Sequence, residues 1–121
     1  MTKARWRKII TESAKNVGTY RESFDGVIKT LAEILETRDT CQKQFEEAGS
    51  HPVITKINVK GDEVIVRNPM LETIITLNTQ ALSYWRDLGL TPSGLKKIND
   101  QMAAKQKRGL SDMVADLLKE D

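Results

Sequence analysis

From Tyr20 the apolar positions Tyr20, Phe24, Val27, Leu31, Ile34, Cys41 and Phe45 recur at steps of three, four and seven, with Arg38 filling the one polar gap. That spacing returns to one side of a 3.6-residue helix and predicts a long helix with a single seam. Gly26 lies inside the seam and costs about 1 kcal/mol relative to Ala in a helix interior, so the helix is expected to begin near Asp25 as its N-cap. It is expected to end at "EEAGSHP", where Gly49 and then Pro52 stop it. The period then changes. "VITKINV" (53–59) alternates Val53, Thr55, Ile57 and Val59, and "EVIVR" (63–67) is a second β-branched run beyond Lys60, Gly61 and Asp62. A glycine-containing turn between two such runs predicts a β-hairpin over 53–67.

Asn68 and Pro69 open the next helix, as cap and first helical residue. Over 70–88 it carries Leu71, Ile74, Asn78, Ala81, Trp85 and Leu88 on one seam. In "LGLTPSGLKKI" (88–98), Gly89 is placed to stop that helix and Thr91 with Pro92 to restart the chain. Leu95, Ile98 and Met102 share a face of the following segment, with the lysines mostly off it. Gly109 is expected to break it, leaving "LSDMVADLLKED" as a short acidic amphipathic helix. The expected fold is mainly α: two long antiparallel helices with a β-hairpin insert and a C-terminal basic helix. Residues 1–19 are expected as a basic N-terminal arm, 20–108 as the helical core, and 109–121 as an acidic tail. The apolar stripes are wider than one antiparallel pair can cover, which predicts a homo-oligomer.

Composition sharpens this only in part. At 121 residues the length suits one domain, and six aromatics leave most core burial to Leu, Ile and Val. Cys41 is the single cysteine, so no internal disulfide forms, which fits a reducing compartment. No apolar run approaches the roughly 18 residues of a membrane span, and the basic start lacks an apolar signal core. A cytosolic protein without a membrane partner is the expectation. The net charge of +2 hides a strong asymmetry. Lys3, Arg5, Arg7, Lys8 and Lys15 face only Glu12 over residues 1–16, and Lys96, Lys97, Lys105, Lys107 and Arg108 face only Asp100 over 95–108. The end reverses sign, with Asp112, Asp116, Glu120 and Asp121 against Lys119.

Catalytic chemistry finds little material. His51 is the only histidine and lies in a loop, Cys/His metal sites are excluded by count, and no phosphate-binding or dinucleotide glycine motif follows a strand. The acidic pairs at 46–47 and 62–63 sit at a helix end and in a turn, where carboxylates are ordinarily solvated. No enzyme activity, cofactor or metal is expected. The basic clusters suit phosphate neutralisation, which gives salt-sensitive binding to nucleic acid. Trp6 between Arg5 and Arg7 could add stacking, although a solvated charged terminus would look the same. A helix-turn-helix built on Gly89 would bury Leu95 and Ile98 and turn Lys96 and Lys97 to DNA. Trp85 counts against it, because it stands where a small residue normally lets the two helices approach.

The segments "FDGVIKTLAEILETRD", "QFEEAGS" and "NPMLETIITLNTQALSYWRDLGLTPSGLKKI", in that order, resemble the small terminase subunit of tailed bacteriophages. The likeness spans about residues 20–98, and the "NP…LGLTP" pattern carries most of it. It implies a non-enzymatic, ring-forming protein in the cytoplasm of the bacterial host. Such a protein recognises double-stranded viral DNA, delivers it to the large terminase subunit and modulates that partner's ATPase and nuclease. Many members have a separate N-terminal helix-turn-helix domain, and the residues before Tyr20 are too few for one. DNA contact is therefore assigned to Lys3, Arg5, Arg7, Lys8, Lys15, Lys96, Lys97, Lys105, Lys107 and Arg108. Large-subunit docking is assigned to Leu110, Met113, Val114, Leu117 and Leu118, an apolar stripe on an acidic tail suited to a basic groove. A reading from another class is a cytosolic helical adaptor that oligomerises without touching nucleic acid.

Overall fold

The computed structural model describes residues 1–119 of the chain. Residues 120 and 121, the end of the expected tail, lie outside the described residues. The described residues form four α-helices, α1 (Lys3–Asn16), α2 (Asp25–Glu47), α3 (Pro69–Asp87) and α4 (Pro92–Lys119), with one largely exposed hairpin of strands β1 (Val53–Ile57) and β2 (Glu63–Arg67) between α2 and α3.

Residues 1–19, expected as an arm, form helix α1 and dock on the body. Thr2 Oγ1 caps it by accepting from the Arg5 N–H. Trp6, Ile10 and Ala14, at steps of four, make a narrow apolar line among the charges, and Ile10 and Ala14 are fully buried. Polar ties add to the packing. Lys3 pairs with Glu33 at 3.0 Å, and the Trp6 indole N–H donates to Asp39 at 2.7 Å. The Lys3 ammonium, by hydrogen bond and charge, holds the Glu33 carboxyl below the usual carboxylate range. Partial burial pushes the Asp39 carboxyl up, but hydrogen bonds from Arg38 and Trp6 outweigh it, and the net displacement is downward.

α2 is covered on two sides, which displaces its core line from the expected seam. Ile28, Leu31, Ala32 and Leu35 are buried, while Phe24, Val27 and Ile34 of the predicted seam stand half-buried at its flank. α1 covers the side that the seam left out. α2 and α3 run antiparallel: Ile28 shares the core with Leu88, Arg38 reaches Asn78, and the Asn68 N–H donates to the Pro52 carbonyl where the hairpin leaves. In the hairpin Val53 pairs with Arg67 and Ile57 with Glu63. Val59, expected in the strand, falls in the turn, where Asn58 Oδ1 accepts from the Lys60 and Asp62 N–H groups.

The bend at 88–91 follows its residues. Asn68 and Thr91 cap α3 and α4 by accepting from the Met70 and Gly94 N–H groups, and Gly89 takes φ +72°. Thr19 Oγ1, buried, donates to the Leu88 carbonyl at 2.8 Å and ties the end of α1 to the bend. Gly109 does not break α4, which continues through it to Lys119, so the expected tail is the far end of α4. A lone glycine costs about 1 kcal/mol, and the alanines, lysines and leucines around it favour helix, with no proline beyond to stop it.

Leu35→Ala should cost about 2–5 kcal/mol in urea unfolding, because the site is closed by two helices and cannot collapse. Asp39→Asn should lower stability at neutral pH. Because the folded-state pKa of Asp39 is depressed, its contribution is present above the unfolded value of about 4 and disappears as pH falls through the folded one. Melting temperatures from pH 7 to 3 should therefore converge for wild type and variant at the acid end.

Candidate nucleic-acid interface

α4 leaves the body across α3 at close range. A Cβ on Gly94 would collide with the Arg86 carbonyl, and one on Gly89 would lie 2.8 Å from the Ile98 side chain. The close approach that a helix-turn-helix needs is thus supplied by Gly94, and Trp85 is displaced to the opposite side of the bend, half-buried beside Leu90. Leu95 and Ile98 are half-buried, and from Asn99 onward every described side chain of α4 is exposed.

This crossing gathers cations from three parts of the chain. One cleft beside α4 is lined by Arg21, Asp87, Gln101 and Lys105 among others, and its neighbour by Arg86, Asp87, Lys97 and Gln101. Arg21 precedes α2 and Arg86 ends α3, and both escape a reading of charge runs because each is isolated in sequence. Asp87 is the one carboxylate lining these clefts. Lys96, Lys97, Lys105, Lys107 and Arg108 are all exposed, and among the described residues no carboxylate pairs with them. Helical spacing puts Lys97, Lys105 and Arg108 on one side and Lys96 with Lys107 on another.

The N-terminal cluster has a different character. Lys3 is committed to Glu33, and Arg7 lies close enough to that carboxylate to help lower its pKa. The Lys15 ammonium sits over the Tyr20 ring at 5.1 Å. Trp6 is held by Asp39 with the Arg38 guanidinium 5.6 Å over its ring, so it cannot stack on a base as the sequence pattern suggested. Arg5 and Lys8 remain exposed on the outer side of α1. The two clusters do not merge: Lys3 to Lys8 lie beside residues 33–39 of α2, whereas α4 starts at the other end of α1, where Thr19 meets Leu88.

His51 lies in the loop before β1, and among the described residues no group of His, Cys, Asp and Glu is arranged to hold a metal ion. Nor is any described helix long and apolar enough to cross a membrane. The Leu110, Met113, Val114, Leu117 and Leu118 side chains stand exposed on the part of α4 that projects beyond the body. A family model described as phage terminase, small subunit, matches residues 2–105. No curated protein and no solved structure matches the chain.

The crossing predicts separable effects. Arg21→Glu with Lys105→Glu should weaken binding to duplex DNA and flatten the slope of log affinity against log salt by about 2. Lys3→Ala should leave that slope unchanged and lower thermal stability instead, because its charge is spent on Glu33. Fluorescence anisotropy over a salt series and thermal melts distinguish the two.

Proposed function

The chain belongs to the phage terminase small-subunit family, which acts in phage DNA packaging, and we propose that it is the DNA-binding component of the packaging machine. In this reading copies of the chain assemble as a ring in the host cytoplasm. The α4 side bearing Lys97, Lys105 and Arg108, with Arg21 and Arg86 beside it, contacts DNA phosphates, and Arg5 and Lys8 add a second, weaker contact. The projecting end of α4 docks the large terminase subunit through Leu110, Met113, Val114, Leu117 and Leu118. The protein supplies recognition and positioning, and the partner supplies the chemistry.

The observation that carries this reading is the cation cluster at the α3–α4 crossing in a chain whose family handles packaging. Charges from three segments converge there with a single carboxylate in the clefts, which suits a polyanion better than an internal ion-pair network. Support for self-assembly comes from exposed aliphatics on α3 and the hairpin, namely Ile75, Leu82, Ile57 and Ile65. The family match ends at residue 105, inside α4, so the exposed stripe lies beyond the shared region, as a surface matched to one particular partner would.

Retention of duplex DNA at low salt and its steep loss as salt rises is the expected result in a gel-shift series. No retention at any salt would sink this reading and favour an adaptor that leaves nucleic acid alone. Leu117→Asp with Leu118→Asp in the full chain is expected to remove capture of the large subunit while DNA binding persists. Undiminished capture would show that the docking surface lies elsewhere.

A further inference from the structure

The two clefts beside α4 share a centre. Arg21 and Lys105 line one of them and Arg86 and Lys97 the other, while Asp87 and Gln101 line both. All six side chains are exposed. The surface is therefore not uniformly basic: a pair of cations stands on each side of a centre that carries none. Along α4 the order is explicit. Lys97, Gln101 and Lys105 follow at steps of four on one side of the helix, which puts Gln101 at the midpoint, about 6 Å along the axis from each lysine.

The centre repels phosphate. Asp87 carries a full negative charge there, and it is the last residue of α3, where the unpaired carbonyls of the helix end add a partial one. A polyanion held by the flanking cations must therefore turn something other than a phosphate toward the middle. Gln101 suits such a group, because its amide presents a donor and an acceptor side by side. The spacing of the lysines fits a duplex. Lys97 and Lys105 are eight residues apart, about 12 Å of helix, and the phosphates that border the major groove of DNA are separated by about 12 Å. With one lysine on each wall of the groove, Gln101 lies over the base edges between them.

We propose that Gln101 is a specificity-determining residue that reads one adenine in the major groove, while Lys97 and Lys105 hold the phosphates on either side. The inference rests on the DNA-binding role read above and divides its contacts into those that position and one that specifies. Adenine is the base that matches a primary amide: its N7 accepts from the amide NH2 as its N6 amine donates to the amide oxygen. Asp87 acts beside Gln101 as the charge that keeps phosphates out of the reading position.

Selection from a library of random-sequence duplexes by the full chain tests this. The wild type should enrich sequences with an adenine at one fixed position. Gln101→Ala should lose about tenfold or more of the discrimination at that base pair while the salt slope of binding stays as it is. Gln101→Glu should move the choice to cytosine, because a carboxylate accepts from the cytosine amine and has no donor for adenine N7. Lys97→Ala should instead weaken all duplexes alike and flatten the slope by about 1. Gln101 is exposed, and a change in the preferred base is a readout that a damaged fold does not give. A Gln101→Ala or Gln101→Glu chain that keeps the wild-type base at every position overturns the proposal, as does a wild type that retains duplex DNA but enriches no sequence. Both of those results leave the DNA-binding role standing, whereas no retention of any duplex at low salt removes the role and the inference together.

Discussion

The burial of Leu31 and Leu35 between α1 and α3 is the contact from which the rest of the structure follows. Both side chains lie in one cluster with Ile10 from α1, Ala81 from α3 and Leu88 at the end of α3. Fully burying such residues is worth about 1.5–3 kcal/mol each, and it is available only when both covering helices are present. A single antiparallel pair would leave Ala32 and the neighbouring side of α2 wet. α1 closes that side, fastened by Lys3 on Glu33 and by the Trp6 indole and the N-terminal ammonium on Asp39.

Docking α1 has a consequence at its other end. Its last turn leads to Gly18, and the next residue, Thr19, is buried with its hydroxyl on the Leu88 carbonyl. The α3–α4 bend is thereby fastened from two directions, by its own caps and by α1. Gly94 then brings α4 against the Arg86 carbonyl, which fixes the direction in which α4 leaves. That direction sets Lys97 and Lys105 beside Arg86 and Arg21, and it opens a groove at Trp85 on the opposite side.

Elements with strong local punctuation are legible in the residues themselves. Asn68-Pro69 opens α3, Gly49 follows α2, and Gly89, Thr91 and Pro92 make the bend, because caps and positive-φ glycines act on backbone groups a few residues away. α1 is hidden because its apolar line is only three residues wide and its charges dominate any count. Gly109 misleads for the opposite reason: a breaker acts by a small penalty, and the residues around it outweigh it. Lys96, Lys97, Lys105, Lys107 and Arg108 are visible as a run, but Arg21 and Arg86 are not, since nothing local distinguishes them from other surface arginines.

By itself the sequence determined the mainly helical class, the hairpin between the two long helices, the bend and the uneven charge, all of which depend on spacing and composition along the chain. The tertiary structure decided which side of α2 is core, that the N-terminal cations are partly spent on internal carboxylates, and which isolated arginines join α4. Those outcomes depend on what packs across from a residue. Helical periodicity shows that a face exists but carries no information about the partner that covers it.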